Sequence, residues 1–103
     1  MNNLKDKKII VTGASGGIGH SIIEKFSKCG AKILASGTRI QKLEELKSKF
    51  NNVEILKFDI SNFDKIEEFV ENAKSQLGGN LDCIINNAGI TQDNLAIRMS
   101  IDE

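Results

Sequence analysis

The stretch Thr12-Gly13-Ala14-Ser15-Gly16-Gly17-Ile18-Gly19 restricts the folds open to this chain more than any other. It follows a short apolar run, Lys8 to Thr12, and precedes Ile18, Ile22, Ile23 and Phe26, which recur at helical spacing until Gly30. The first run reads as a buried strand ended by Gly13, the second as a helix stopped by a glycine. Glycines in a strand-to-helix turn let a phosphate approach the backbone with no Cβ in the way. The start of the next helix offers unpaired N–H groups and a partial positive charge, which suit a pyrophosphate. Gly19 would let that helix pack closely on the sheet. A turn that binds nothing could use the same glycines. The Gly-x3-Gly-x-Gly spacing, with a strand before it and a helix after it, favours a bound dinucleotide. A P-loop is excluded, because no Lys-Ser or Lys-Thr follows the glycines.

The rest of the chain continues the alternation. Ile33-Leu34-Ala35 reads as a second buried strand, and Leu43, Leu46 and Phe50 as the buried face of a second helix, broken by Asn51-Asn52. Val53 to Phe58 reads as a third strand. Ser61 is placed to cap a third helix, with Asp64 in its first turn and Ile66, Phe69, Val70, Ala73 and Leu77 as its stripe. Gly78-Gly79-Asn80 ends that helix and Leu81 to Ile85 reads as a fourth strand. After Gly89 the pattern weakens. Leu95, Ile97, Met99 and Ile101 alternate, as a strand would, but fit a turn or an incomplete helix too. The expected fold is α/β, a Rossmann-like doubly wound parallel sheet, incomplete at about four strands and three helices. Its fourth strand would carry an open edge, which invites association. No proline marks a domain boundary, and 1–103 is read as one part of a single domain.

At 103 residues, 40% of them hydrophobic and 27% charged, the chain has the balance of one small soluble domain. Fourteen basic and fourteen acidic residues cancel, which argues against a broad grip on nucleic acid or an anionic membrane. No apolar run approaches the roughly 18 residues needed to span a bilayer, and Ile9-Ile10-Val11 is too short for a secretory signal. The expected location is the cytoplasm. Cys29 and Cys83 stand in no metal or redox spacing and read as reduced, buried thiols. No metal site is expected.

Thr12 to Gly19 resembles the cofactor loop of the short-chain dehydrogenases/reductases. Asn86-Asn87-Ala88-Gly89, at the end of the fourth strand, is similar to their second signature, and Asp59 falls where the family contacts adenine. Gly89 to Met99 resembles the bacterial 3-oxoacyl-[acyl-carrier-protein] reductases of fatty-acid synthesis. The resemblance covers the whole chain but only the N-terminal, cofactor-binding part of the family's domain. The family's catalytic Asn, Ser and Tyr-x-x-x-Lys lie beyond it, and the chain contains no tyrosine. No catalytic residue is therefore assigned, and Asn86 and Asn87 belong to the cofactor signature. The implied cofactor contacts are Gly13, Ala14, Ser15, Gly16, Gly17, Ile18, Gly19, Thr38, Arg39, Asp59, Ile60, Asn87, Ala88 and Gly89.

The second strand ends in Ser36-Gly37-Thr38-Arg39. A methyl-donor site, or an NAD site, would place an acid near there to hold a ribose, about 20 residues beyond the glycines. With no acid present, Thr38 and Arg39 suit a 2′-phosphate, so the expected cofactor is NADP. One departure is that many NADP-using relatives carry Arg where this chain has Gly16. Asp59 could instead form a turn ahead of Ser61. His20, the only histidine, has no partners of a recognisable catalytic set and reads as an exposed helical residue, as do the charges from Lys42 to Lys49. By resemblance, the substrate is a 3-oxoacyl thioester on acyl carrier protein and full-length relatives are homo-oligomers. The alternatives are a noncatalytic nucleotide-binding remnant, or a short-chain reductase of a different ketone.

Overall fold

In a computed structural model of the chain, residues 4–59, 61–87 and the backbone of 96–99 are described. Side chains along β1 (Lys8–Thr12) point alternately to two buried faces, which is why the run is apolar without a polar side. Ile9 and Val11 join one core cluster and Ile10 joins the other. The same holds for β2 (Lys32–Gly37), where Ile33 and Ala35 face one way and Leu34 the other. Helices α1 (Gly17–Lys28) and α2 (Ile40–Lys49) close the first face with Ile23, Leu43 and Leu46. After β3 (Val53–Lys57), α3 (Ile66–Gln76) closes the second face with Phe69 and Ala73, and Leu77 extends that contact. The rings of Phe58 and Phe69 stack with centroids 4.4 Å apart.

The sheet order is β3-β2-β1-β4-β5, where β4 is Cys83–Asn86 and β5 is Ala96–Met99. The first four strands are parallel, with helices on both faces, so the doubly wound Rossmann-like architecture holds. β4 begins two residues later than the apolar run suggests. Asp82 is used instead to fasten it: its carboxylate accepts from Lys8 N–H at 2.8 Å, and its own N–H donates to Lys8 O at 2.8 Å.

The structure corrects four expectations. The edge of β4 is not open, because β5 pairs with it antiparallel, Cys83 opposite Met99 and Asn86 opposite Ala96. The weak alternation after Gly89 thus belongs, at 96–99, to a fifth strand. Ser61 does not cap α3. Asp59 Oδ1 accepts from both the N–H and the hydroxyl of Ser61, at 3.0 and 2.7 Å, and a short 3-10 turn at Phe63–Lys65 intervenes, with Lys65 in the cap position. A carboxylate two residues away competes successfully for the Ser61 groups. Ile18 is not part of the buried stripe of α1 but is 46% exposed. Cys83 is buried but Cys29 only half-buried, and both are free thiols. Burial first, then the neighbouring Asp82 carboxylate, pushes the Cys83 thiol up from its ordinary value. Among the described residues, no helix is long and apolar enough to cross a membrane.

Candidate functional site

The strand order reverses direction between β1 and β4, the point in an open α/β sheet where a crevice forms beyond the carboxyl ends of the strands. The glycine loop follows β1 and Asn86-Asn87 ends β4, so the sequence delivers both motifs to that crevice. They are bonded to each other. The Thr12 hydroxyl donates to Asn86 Oδ1 at 2.9 Å and accepts from Asn87 N–H at 3.0 Å. Asn87 Nδ2 donates to Gly13 O at 3.2 Å. Thr12 itself is buried.

A bond from Ala14 N–H to Ser36 O, 2.8 Å long, ties the other side of the loop to β2. The ladder of α1 starts with His20 N–H donating to Gly16 O at 3.0 Å. The N–H groups of Gly17, Ile18 and Gly19 precede it and have no acceptor within the helix. Gly16, in the cap position, brings no side-chain acceptor. The loop therefore ends in donors and a helix-start partial charge that an anion can occupy.

The glycines divide by function. A Cβ on Gly17 would meet nothing within 4 Å, and one on Gly16 only Gly13 O at 3.9 Å. A Cβ on Gly19 would sit 2.6 Å from Ala14 Cα and from Gly13 O, so the loop folds over α1 only because that position is bare. Gly37 is held less strictly: a Cβ there would meet the Ser15 hydroxyl, which can rotate, and would lie 3.1 Å from Ser15 N.

Beside the loop lies a hollow of about 330 Å³ lined by Ala14, Ser15, Gly16, Gly17, His20, Arg39, Lys42, Glu45 and Leu46. Arg39 Nη2 donates to Ser15 O at 3.4 Å, so the end of β2 folds back over the loop. Thr38 stands next to it, exposed. His20 is half-buried, with Nε2 3.4 Å from Lys49 Nζ and its ring tilted against Phe50. His20 and Lys42 are residues that sequence reasoning set aside as solvated. The available signal was spacing: Arg39 and Lys42 are three apart at the start of α2 and share a side.

Asp59 lies two residues beyond β3, whose join to β2 continues through Phe58 N–H to Gly37 O at 2.9 Å. It is exposed, and Ser61, through its hydroxyl first and its N–H second, holds its carboxyl below the ordinary aspartate value. The turn-forming role is thus present in the structure, and it uses Oδ1 while Oδ2 takes no part in the turn. Ile60, Ala88 and Gly89 fall outside the described residues.

Comparison with known proteins matches residues 7–103 to the short chain dehydrogenase family. A nodulation protein G of Rhizobium sp. (strain N33) is 41% identical, over 97% of this chain and 41% of the relative. The 3-oxoacyl-[acyl-carrier-protein] reductase FabG of Vibrio cholerae is 35% identical, over 98% of this chain and 41% of that protein. Among solved structures, a 3-ketoacyl-(acyl-carrier-protein) reductase from Brucella melitensis complexed with NADH superposes with a TM-score of 0.73 at 26% identity, over 80% of this chain and 34% of that one. The chain spans about two fifths of the length of the curated relatives it matches, at 41% for both relatives named above.

Proposed function

Because the chain belongs to the short-chain dehydrogenase family, we propose that residues 1–103 are the cofactor-binding part of an NADP-dependent oxidoreductase that reduces a 3-oxoacyl thioester, carried on acyl carrier protein, to the 3-hydroxyacyl form. The observation that carries the cofactor reading is the hollow between the glycine loop and the start of α2. Unpaired N–H groups of α1 and the guanidinium of Arg39 border it, and the strand end Ser36-Gly37-Thr38 carries no acid. The open space above Gly17 fits the group, since nothing of the protein fills the place a pyrophosphate would take.

On this reading the N–H groups of Gly17 and Ile18 hold the pyrophosphate, with Gly13, Ala14, Ser15, Gly16 and Gly19 shaping the turn; Gly16 N–H is turned to Gly13 O at 3.4 Å. Thr38 and Arg39 hold the 2′-phosphate. Asp59, with Ile60, receives the adenine amino group, and Asn87, with Ala88 and Gly89, the ribose beyond it. The bound cofactor supplies hydride to the ketone carbon. The chain's own contribution is to bind and orient: the bonds of Asn87 to the Thr12 hydroxyl and to Gly13 O keep the end of β4 and the glycine loop in one fixed relation. The ketone oxygen must gain a proton as hydride arrives, and none of these residues is assigned to give it.

The acyl thioester substrate rests on the similarity to the 3-oxoacyl reductase of Vibrio cholerae and on the Gly89–Met99 stretch. A cytoplasmic homo-oligomer working on carrier-bound substrate completes this reading. The NADH in the Brucella complex favours a second reading, in which NAD is the cofactor. Calorimetric titration of the chain with NADPH and with NADH separates the two. Tighter binding of NADPH by about tenfold or more is expected from one added charge-assisted contact set. Equal or tighter binding of NADH would overturn the NADP reading. For the substrate, NADPH oxidation by the whole reading frame containing these residues is expected with acetoacetyl–acyl carrier protein, and its absence there would leave the different-ketone reading.

A further inference from the structure

We propose that the outer edge of β3 is a docking site for an extended acidic peptide. The peptide adds to the sheet as a further strand, seats an apolar side chain in a hollow beside α3 and sets a carboxylate against Lys57. The inference is independent of the cofactor reading, because that hollow is floored by the core cluster on the opposite face of the sheet from α1 and α2.

β3 ends the sheet order, so only one of its edges is paired. Asn52 O accepts from Ile33 N–H, and Phe58 N–H donates to Gly37 O, both at 2.9 Å. In a parallel strand the N–H and C=O of one residue point to the same side, and successive residues alternate. Positions 52, 54, 56 and 58 therefore face β2, while Val53, Ile55 and Lys57 direct their main-chain groups outward. No described residue bonds the main chain of Ile55 or Lys57 on that side. Such a row of free donors and acceptors is a template for another strand.

Beside that edge, between β3 and α3, lies a hollow of about 220 Å³ with Leu56, Phe58 and Phe69 on its apolar side. Leu56 and Phe58 stay half-buried there, because nothing described covers them beyond α3. A strand added to β3 sends alternate side chains to each face, so those on the α3 face lie next to Leu56 and Phe58, over the hollow. Main-chain pairing gives such a complex its affinity, and the hollow selects the side chain. Charge selects the rest. Glu54 on the same strand pairs with Lys47 at 3.5 Å, and Glu68 beside the hollow pairs with Lys65 at 4.0 Å. Among the described residues, no carboxylate stands at ion-pair distance from Lys57. A lone lysine on a five-residue edge strand discourages indiscriminate pairing, and an acid directly opposite satisfies it. A second copy pairing antiparallel about Ile55 would set Lys57 against Val53 and leave that charge unmatched. Because side chains alternate, the acid for Lys57 and the apolar residue for the hollow are neighbours in the peptide.

The test titrates the full chain into a fluorophore-labelled peptide, Thr-Leu-Asp-Leu-Thr with a C-terminal amide, and reads fluorescence anisotropy. Saturable binding is expected. Methylating the main-chain nitrogen of the peptide's aspartate removes its donor to the edge and is expected to weaken binding about tenfold or more. Asn72→Trp, which fills the hollow from an exposed position on α3, should weaken it by a similar factor. Lys57→Glu should reverse the choice between this peptide and one with lysine in place of aspartate. Lys57 is exposed too, and circular dichroism checks that both variants are folded. The absence of saturable binding, or a methylated peptide bound as tightly as its parent, would overturn the proposal. A chain that sediments as a dimer, and is returned to monomer by Lys57→Glu, would give the edge to a second copy and overturn it as well.

Discussion

The Thr12 hydroxyl accepts a hydrogen bond from Asn87 N–H at 3.0 Å across 75 positions of sequence. The same hydroxyl spends its proton on Asn86 Oδ1 at 2.9 Å. One buried side chain thus fixes the end of β4 to the end of β1, where the glycine loop begins.

Thr12→Val keeps the shape and removes these two bonds together with the longer hydroxyl contact to Ile85 O at 3.5 Å. It leaves a partly buried N–H and an amide oxygen without this partner, which costs about 1–3 kcal/mol. Urea denaturation followed by circular dichroism measures the loss, and Thr12→Ser should recover most of it. A Thr12→Val chain as stable as the original would show that the clamp contributes nothing.

Gly19→Ala is expected to destabilise the fold by about 1–3 kcal/mol, because its Cβ would meet backbone atoms at 2.6 Å and the loop must shift. Gly17→Ala, with open space around the new methyl group, should leave stability nearly unchanged. Thermal melts of the two variants side by side decide this. Equal stability for both would contradict the division of labour between the two glycines.

Much of this arrangement is legible in the sequence, for physical reasons that can be named. β1 is recognisable because both of its faces are buried, so Ile9, Ile10 and Val11 read as an uninterrupted apolar run. The glycine loop is recognisable because close backbone approach excludes side chains at Gly19 whatever surrounds it. Ser61 misleads because its preference for a helix cap is satisfied locally by Asp59, a competition that spacing does not rank. β5 is hidden because only four residues, 96–99, pair with β4, and four alternating residues fit several structures. Lys42 is exposed as its sequence suggests, but its sharing of one hollow with the half-buried His20 depends on how α1 and α2 lie against the loop, a tertiary relation with no one-dimensional pattern.

Asp59 should titrate below the usual aspartate range, since Ser61 stabilises its charged form through the hydroxyl and the N–H. A depressed folded value means the turn adds stability above the unfolded aspartate pKa, and that contribution is lost as pH falls through the lower folded value. NMR titration of the Asp59 carboxyl in the chain and in Ser61→Ala measures this. The midpoint should rise in the variant. An unmoved midpoint would show that Ser61 is not the cause.

The 103 residues by themselves should show no reductase turnover, because they hold no tyrosine and none of the described residues is assigned as the acid for the ketone oxygen. General acid catalysis contributes about 10²–10⁴-fold, and the positioning of a substrate pocket is lost with it. NADPH absorbance decay with an acetoacetyl thioester, against an equally purified Gly17→Val chain, is the assay. Turnover well above that control would reveal a proton donor among these residues.

The claim that the glycine loop and α1 start hold the dinucleotide is met most directly by titrating NADPH into the chain and into Gly17→Val, both shown to be folded by circular dichroism. A Cβ at Gly17 meets no protein atom within 4 Å, so the side chain is added at the edge of open space, and the folding check by circular dichroism separates obstruction of the cofactor from damage to the loop. The prediction is saturable binding by the unaltered chain and none by a folded Gly17→Val. Equal NADPH affinity in the two folded proteins would contradict the placement of the cofactor on this loop.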